Sequence, residues 1–340
     1  MKLMVLAGLL ACSGIMLATQ GETGKLGLAG GVVAGLLCVS LIGHVLARCR
    51  FAMAEEIQSR TMTWWYMVAV FLLALSTHRV VSFVCLSFLC FSALREFYSL
   101  MPMREVAGNK TLAFKDRVAV LFSYLALPIV AWVAFIDWFD LFIIIVPVYL
   151  FLLFPIIFVL QGRTEGALKS LGVVSIGAMF FVFNLGHCLF MINLTPMLLL
   201  YCFTLTEVRD VVAAWSNKGF AQLAARRPDT PLARLLQCRV AEAVDSEKTW
   251  AAGLVSSLIV ALLSLAFLPL MPAFKYGALS WPVCLVLGLL IGFLGLMGEL
   301  VFAMVKRDLH IKSSSGVIER VDSLVFVLPI VFHVISWVYL

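Results

Sequence analysis

Charge is what this sequence has least of: Asp, Glu, Lys and Arg together make up 13% of its 340 residues, against about a quarter in soluble domains. That scarcity excludes an ordinary water-soluble globule. Walker A and GxGxxG phosphate loops, the zinc-type HEXXH and the GxSxG nucleophile elbow are all missing, so none of those chemistries carries its usual signature here. The nine cysteines, at 12, 38, 49, 85, 90, 188, 202, 238 and 284, are scattered with no CxxC pair. They read as small apolar residues, which excludes a disulfide framework or a zinc site as the organising feature. Internal repeats are not evident, and no low-complexity linker divides the chain.

What is abundant is apolar: 63% of residues are hydrophobic and the mean hydropathy is +1.07. In lipid every backbone polar group must be paired within the protein, which leaves helices or a closed barrel. Long continuous apolar runs rather than short alternating ones select helices. The expected fold is therefore all-α, a polytopic membrane bundle of roughly nine to eleven spans.

Basic clusters punctuate the runs at Arg48 to Arg60, Arg95 to Arg117, Gln161 to Lys169, Ser216 to Lys248 and Lys306 to Arg320. Each apolar stretch between them exceeds one span of about 20 residues and suits a hairpin of two. Basic loops then face the cytoplasm. The midpoints at Thr77-His78-Arg79, Asp137 to Asp140, Asn193 to Pro196 and Pro269 to Lys275 face away from it. His78 and Arg79 fit that outer face poorly, being basic. Met1 to Ala18 reads as a retained first helix and Leu26 to Ala47 as a second. The net charge of +6 lies almost wholly in these loops, so topology explains it better than a nucleic-acid partner.

Three polar clusters fall at the cytoplasmic ends of spans. In the first, Glu207 and Asp210 share a helix face, with Arg209 between them. In the second, Asp245 to Trp250, Ser246 is placed to cap the next helix and Lys248 to meet an anion at its positive end. The third runs from Gly298-Glu299 through Lys306-Arg307-Asp308 and Lys312 to Glu319-Arg320-Val321-Asp322, eight ionised groups beside two apolar runs. Lys306 is expected on the same helix face as Glu299, with His310 beyond it. An acid within a span points to function. Carboxylates interleaved with Lys and Arg suit a metal and a nucleotide, the acids holding a divalent ion and the bases neutralising phosphate. An ordinary cytoplasmic loop would also carry such charges. His44, His187 and His333 read as isolated packing residues, and Trp64-Trp65 and Phe180-Phe181 as lipid-facing or interfacial aromatics. The stretch Ser216 to Lys248, with Leu232 to Leu236 inside it, is either a surface-lying amphipathic piece or a plain loop.

In this order and at these places the clusters resemble the membrane-integral phosphatidate cytidylyltransferase (CDP-diacylglycerol synthase) family. Its signature runs Gly-Asp, Lys-Arg, Lys-Asp, a Gly-His-Gly-Gly turn, then Asp-Arg-x-Asp. Gly298-Glu299, Lys306-Arg307, Lys312-Ser313 and Glu319-Arg320-Val321-Asp322 occupy those places. Lys248-Thr249-Trp250 looks like the core of the family's Ser-Pro-x-Lys-Thr-x-Glu-Gly segment, and Asp210 like the acid ahead of it. Departures are Asp245-Ser246 for Ser-Pro, Ala251-Ala252 for Glu-Gly, Glu299, Ser313 and Glu319 for Asp, and Ser313 to Gly316 where the glycine turn belongs. The motifs cover residues 196–340, leaving 1–195 as N-terminal membrane helices.

The resemblance implies CTP-dependent conversion of phosphatidate, or a similar lipid phosphate, to CDP-diacylglycerol and pyrophosphate. It implies catalytic roles for Asp210, Lys248 and Glu299, and substrate binding by Lys248, Thr249, Lys306, Arg307, Lys312 and Arg320. Mg²⁺, with room for a second cation, would sit on Asp210, Glu299, Glu319 and Asp322. The partners are then the lipid substrate, CTP and the bilayer, with a homodimer left open. A bacterial inner membrane with the site on its cytoplasmic side is the expected location. Two other readings stay open: a degenerate homologue that binds anionic lipid or a membrane partner, and a related transferase or lipid kinase with another lipid or nucleotide.

Overall fold

The computed structural model describes residues 79–101, 114–226, 228–309 and 316–340, with a few isolated positions before them. Compact units divide at 85/86. In the first, the Trp65 indole N–H donates to Ser40 Oγ at 2.8 Å, and the Arg79 guanidinium lies 5.5 Å from the centre of the Phe83 ring. Trp65 is thus a buried, hydrogen-bonded residue rather than a lipid-facing one. The expected helices of residues 1–78, with Trp64, His44 and His78, lie outside the described residues.

The chain is helical almost throughout. Helix α1 spans Arg79–Leu100 and α2 spans Phe114–Phe135. Helix α3, Phe139–Leu160, contains a π-helical turn at Ile145–Leu150. Helix α4, Ala167–Gly177, runs into a second π turn at Ala178–Asn184, and α5 is His187–Leu194. Then come α6 (Pro196–Arg226), the short α7 (Pro231–Leu236), and an antiparallel ribbon of β1 (Arg239–Ala241) and β2 (Asp245–Thr249). Helix α8 (Trp250–Ser264) tightens into a 3₁₀ turn at Leu265–Leu270, and α9 (Trp281–Asp308), α10 (Ile318–Val321) and α11 (Leu324–Tyr339) complete the unit. Among the described residues seven segments are long and apolar enough to cross a membrane. Prolines 128, 155 and 329 lie inside three of them, tolerable where neighbouring helices restore the lost backbone pairing.

The turns sort to two ends. At one end Asn193 Nδ2 donates to the Ala134 carbonyl at 2.7 Å, tying the α2–α3 turn to the close of α5. The break at Thr195 is sharp because its hydroxyl accepts the Met197 N–H at 3.2 Å and starts α6. The Tyr276 N–H donates to the Tyr339 carbonyl at 3.1 Å, so the α8–α9 connection meets the end of α11. These are the expected outer turns. At the opposite ends of the same helices lie the α6–α8 connection and the α9–α10 connection, where the charged motifs gather.

Two expectations change here. Ser216 to Lys248 is mostly structured: the Ala-rich run after Asp210 continues α6 to Arg226, and the rest forms α7 and the ribbon. Nothing in Val211 to Arg226 breaks a helix except Gly219, so leaving the apolar region did not end it. Phe181 is not lipid-facing either: it is buried, 5.4 Å from Phe97 between ring centres, while the half-buried Phe180 lies 5.5 Å from Phe302.

Small residues set how tightly α9 packs. A Cβ on Gly288 would come within 2.5 Å of the Ala261 Cα on α8, the close backbone approach that helix pairs in lipid exploit.

Candidate functional site

Helix α9 carries Glu299 about two and a half turns before its end, inside the span rather than at its rim. Two cations reach its Oε2: Arg209 Nη1 from α6 at 2.8 Å and Lys248 Nζ from β2 at 2.6 Å. The same Arg209 Nη1 lies 2.6 Å from Asp210 Oδ1. One guanidinium therefore bridges the acids of two helices. Its side chain is 0% exposed, while Asp210, Glu299 and Lys248 are 18%, 17% and 19% exposed. The arginine lies behind a rim of reachable carboxylates. Two of its nitrogens, Nε and Nη2, have no hydrogen-bond partner among the described residues.

Glycines make this seam possible. A Cβ on Gly295 would lie 3.3 Å from Arg209 Cδ, so the glycine leaves the groove in which the arginine stem lies. A Cβ on Gly298 would stand 2.6 Å from the Asp322 carbonyl oxygen. That glycine admits the α10–α11 junction against α9 and brings Asp322 beside Glu299. Asp322 accepts the Ser323 N–H at 2.7 Å and forms no ion pair among the described residues. Ser323 Oγ in turn donates to the Gly295 carbonyl at 3.3 Å.

The remaining motif residues hold the frame. Lys306 pairs with Glu319 at 2.8 Å, joining α9 to α10. Sequence spacing had put Lys306 with Glu299, but the return of the chain supplies a nearer acid, and Glu299 is met by Arg209 and Lys248 instead. Arg307 Nη1 donates to the Ala243 carbonyl at 2.6 Å, pinning the ribbon turn to the end of α9. Thr249, not Ser246, caps α8: its hydroxyl accepts the Ala252 N–H at 3.3 Å. Ser246 lies within β2, which removes it from the helix start. The Thr249 hydroxyl and N–H both donate to Asn217 Oδ1, at 2.9 and 3.1 Å, tying Lys248 to α6. Arg320 lies on α10. Lys312, Ser313 and His310 lie outside the described residues.

Sequence reasoning includes Arg209 in the first cluster, an arginine between acids after an apolar run, but no sequence rule places it at the centre. Glu96 of α1 carries no readable signal. Its carboxylate accepts the N–H groups of Val317 and Ile318 at 2.6 and 3.2 Å, capping the segment that leads to Asp322.

Among the described residues no three His, Cys, Asp or Glu side chains gather closely enough to cage a metal ion. Mg²⁺ does not need such a cage, since one or two carboxylates with water and phosphate oxygens hold it. Asp322, without an ion pair among the described residues, and Asp210 are acids of the kind such a site would use.

Comparison with known proteins follows the same residues. The model of the cytidylyltransferase family matches residues 58–219 and 238–338. The chain belongs to this family. YnbB of Escherichia coli (strain K12), described as uncharacterized, is 25% identical over 296 residues, covering 83% of this chain and 88% of YnbB. Phosphatidate cytidylyltransferase of Chlamydia muridarum (strain MoPn / Nigg) is 31% identical over 28% of this chain and 34% of its own length. The enzyme of the same name from Synechocystis sp. (strain ATCC 27184 / PCC 6803 / Kazusa) is 39% identical over 16% and 22%. No solved structure matches. A cytidylyltransferase-type membrane protein, divergent from the phosphatidate enzymes it resembles, is what these similarities establish.

Proposed function

We propose that the protein transfers a cytidylyl group from CTP to phosphatidate or a closely similar lipid phosphate. A phosphate oxygen of the lipid attacks the α-phosphorus of CTP; the bond to the β-phosphate oxygen breaks, and pyrophosphate leaves with that electron pair. The observation that carries this reading is the meeting of Asp210, Lys248 and Glu299 from three elements far apart in sequence.

The nucleophile is already anionic, so the protein's task is to position it and to offset charge rather than to remove a proton. Lys248, Lys306, Arg307 and Arg320, with Lys312, would neutralise lipid and nucleotide phosphates at the mouth of the site. Arg209, wholly buried, would act from behind Asp210 and Glu299, holding their carboxylates in place. Thr249 would act chiefly by holding Lys248 in place. Mg²⁺ would be held by Asp210 and Asp322, with Glu299 and Glu319 beside them, and it supplies charge neutralisation of phosphate oxygens when bound. Basic side chains gathered at the motif end favour that end facing the cytoplasm of a bacterial inner membrane, where CTP is soluble.

Purified protein in detergent with labelled CTP, phosphatidic acid and Mg²⁺ tests the reading. CDP-lipid should form and should vanish with Glu299→Ala. Absence of product above that control rejects it, and a better rate with another nucleotide or lipid redirects it.

A further inference from the structure

The bridging guanidinium has a consequence for the metal. In two-metal sites a pair of ions about 3.5–4 Å apart is shared between carboxylates on different elements. Here Arg209 Nη1 stands in such a sharing position, 2.6 Å from Asp210 Oδ1 and 2.8 Å from Glu299 Oε2. Lys248 Nζ takes the same Glu299 oxygen at 2.6 Å. A metal on that oxygen would have to displace two protein cations, one of them wholly buried. Glu319 is likewise held by Lys306 at 2.8 Å. Of the four acids expected at the metal, Asp322 is the one without an ion pair among the described residues, and Asp210 meets Arg209 through Oδ1.

We infer that Arg209 is a resident cation filling the position a second metal ion would need, so that the site takes one divalent cation, at Asp322 with Asp210. The arginine cannot dissociate or be chelated, so its positive charge in the site is permanent. Its stem is built into the fold, lying along Gly295 on α9, so it is preorganised rather than recruited. This inference rests on the metal-assisted reading proposed above.

Titration of the detergent-purified protein with Mn²⁺, following free ion by electron paramagnetic resonance, tests it without any turnover. Wild type should bind one Mn²⁺ per chain, Asp322→Asn should bind none, and Arg209→Lys should still bind one. Arg209→Gln frees the Asp210 and Glu299 carboxylates and should raise the count to two. If that variant does not yield a monodisperse protein, the counts for wild type, Asp322→Asn and Arg209→Lys still decide. Two ions on wild type, or one ion that survives Asp322→Asn, overturns the inference while leaving metal-assisted transfer intact. No binding at all removes the metal reading itself.

Discussion

Two clusters share helix α11 and handle buried polarity in opposite ways. At its start, Asp322 adjoins a seam of ion pairs that draws on α6, β2 and α9. About ten residues along, roughly 15 Å at the helical rise, His333 and Phe332 meet His187, Phe142 and Phe190 in a nest of rings. There His187 Nδ1 donates to the Phe183 carbonyl at 2.9 Å and the ring is otherwise surrounded by aromatics. The two histidines, which look isolated in sequence, lie 5.3 Å apart between ring centres, yet they do what packing residues do. The seam spends charge and leaves carboxylates partly exposed; the nest buries apolar area. Polarity inside a membrane bundle thus marks function where it is ionised, shared between elements and reachable, and marks packing where it is neutral and closed.

That contrast can be broken by removing the charge that holds the seam. Arg209→Met leaves Asp210 and Glu299 facing each other without their shared cation. Loss of one partner from a buried pair costs about 3–5 kcal/mol, and thermal unfolding in detergent should show the largest drop of any variant here. Next is Gly298→Ala. Its Cβ would meet the Asp322 carbonyl, and overpacking of this kind costs about 1–3 kcal/mol; both the melting temperature and cytidylyl transfer should fall, because the residue displaced is Asp322.

Glu96→Ala sharpens the picture at the next level. It removes the acceptor for the Val317 and Ile318 N–H groups, worth about 1 kcal/mol as a cap. Hydrogen exchange at residues 317–322 should speed up while α2 and α3 stay protected, and Glu96→Gln should largely restore protection. In the aromatic nest, His187→Leu should cost less than about 1.5 kcal/mol as a nearly volume-conserving change, with transfer activity unchanged. At the exposed ribbon, Arg239→Ala removes a pair with Glu242 at 2.9 Å whose partners are 42% and 75% exposed. The melting temperature should not move measurably.

How far these features were legible in sequence follows from their range. Hydropathy marked the spans and the turns at Asp137 and Asn193 because each is a local property of a run of residues. The charged motifs stood out for the same reason, being rare in so apolar a chain. Partners were another matter. Lys306 and Glu299 share a face by spacing, yet tertiary return gives Lys306 to Glu319 and gives Glu299 to Arg209 and Lys248. Glu96 meets its partners across more than two hundred residues, a distance no periodicity spans. The ribbon is not legible in sequence because Asp245 to Thr249 is charged and lacks the apolar alternation of a half-buried strand. Thr249 took the cap from Ser246 because that strand carries on to the residue before α8.

The claim on which the rest depends is that the seam is a reaction site and more than a staple. Asp322 separates the two possibilities, since it holds no ion pair among the described residues and its loss should leave the bundle standing. The deciding measurement is the rate of CDP-lipid formation from labelled CTP and phosphatidic acid by Asp322→Asn, alongside its thermal melt. The account predicts a melt close to wild type and a rate lower by about 10²-fold or more, the scale expected when a group that offsets transition-state charge is lost. An Asp322→Asn protein that forms CDP-lipid at the wild-type rate would contradict it.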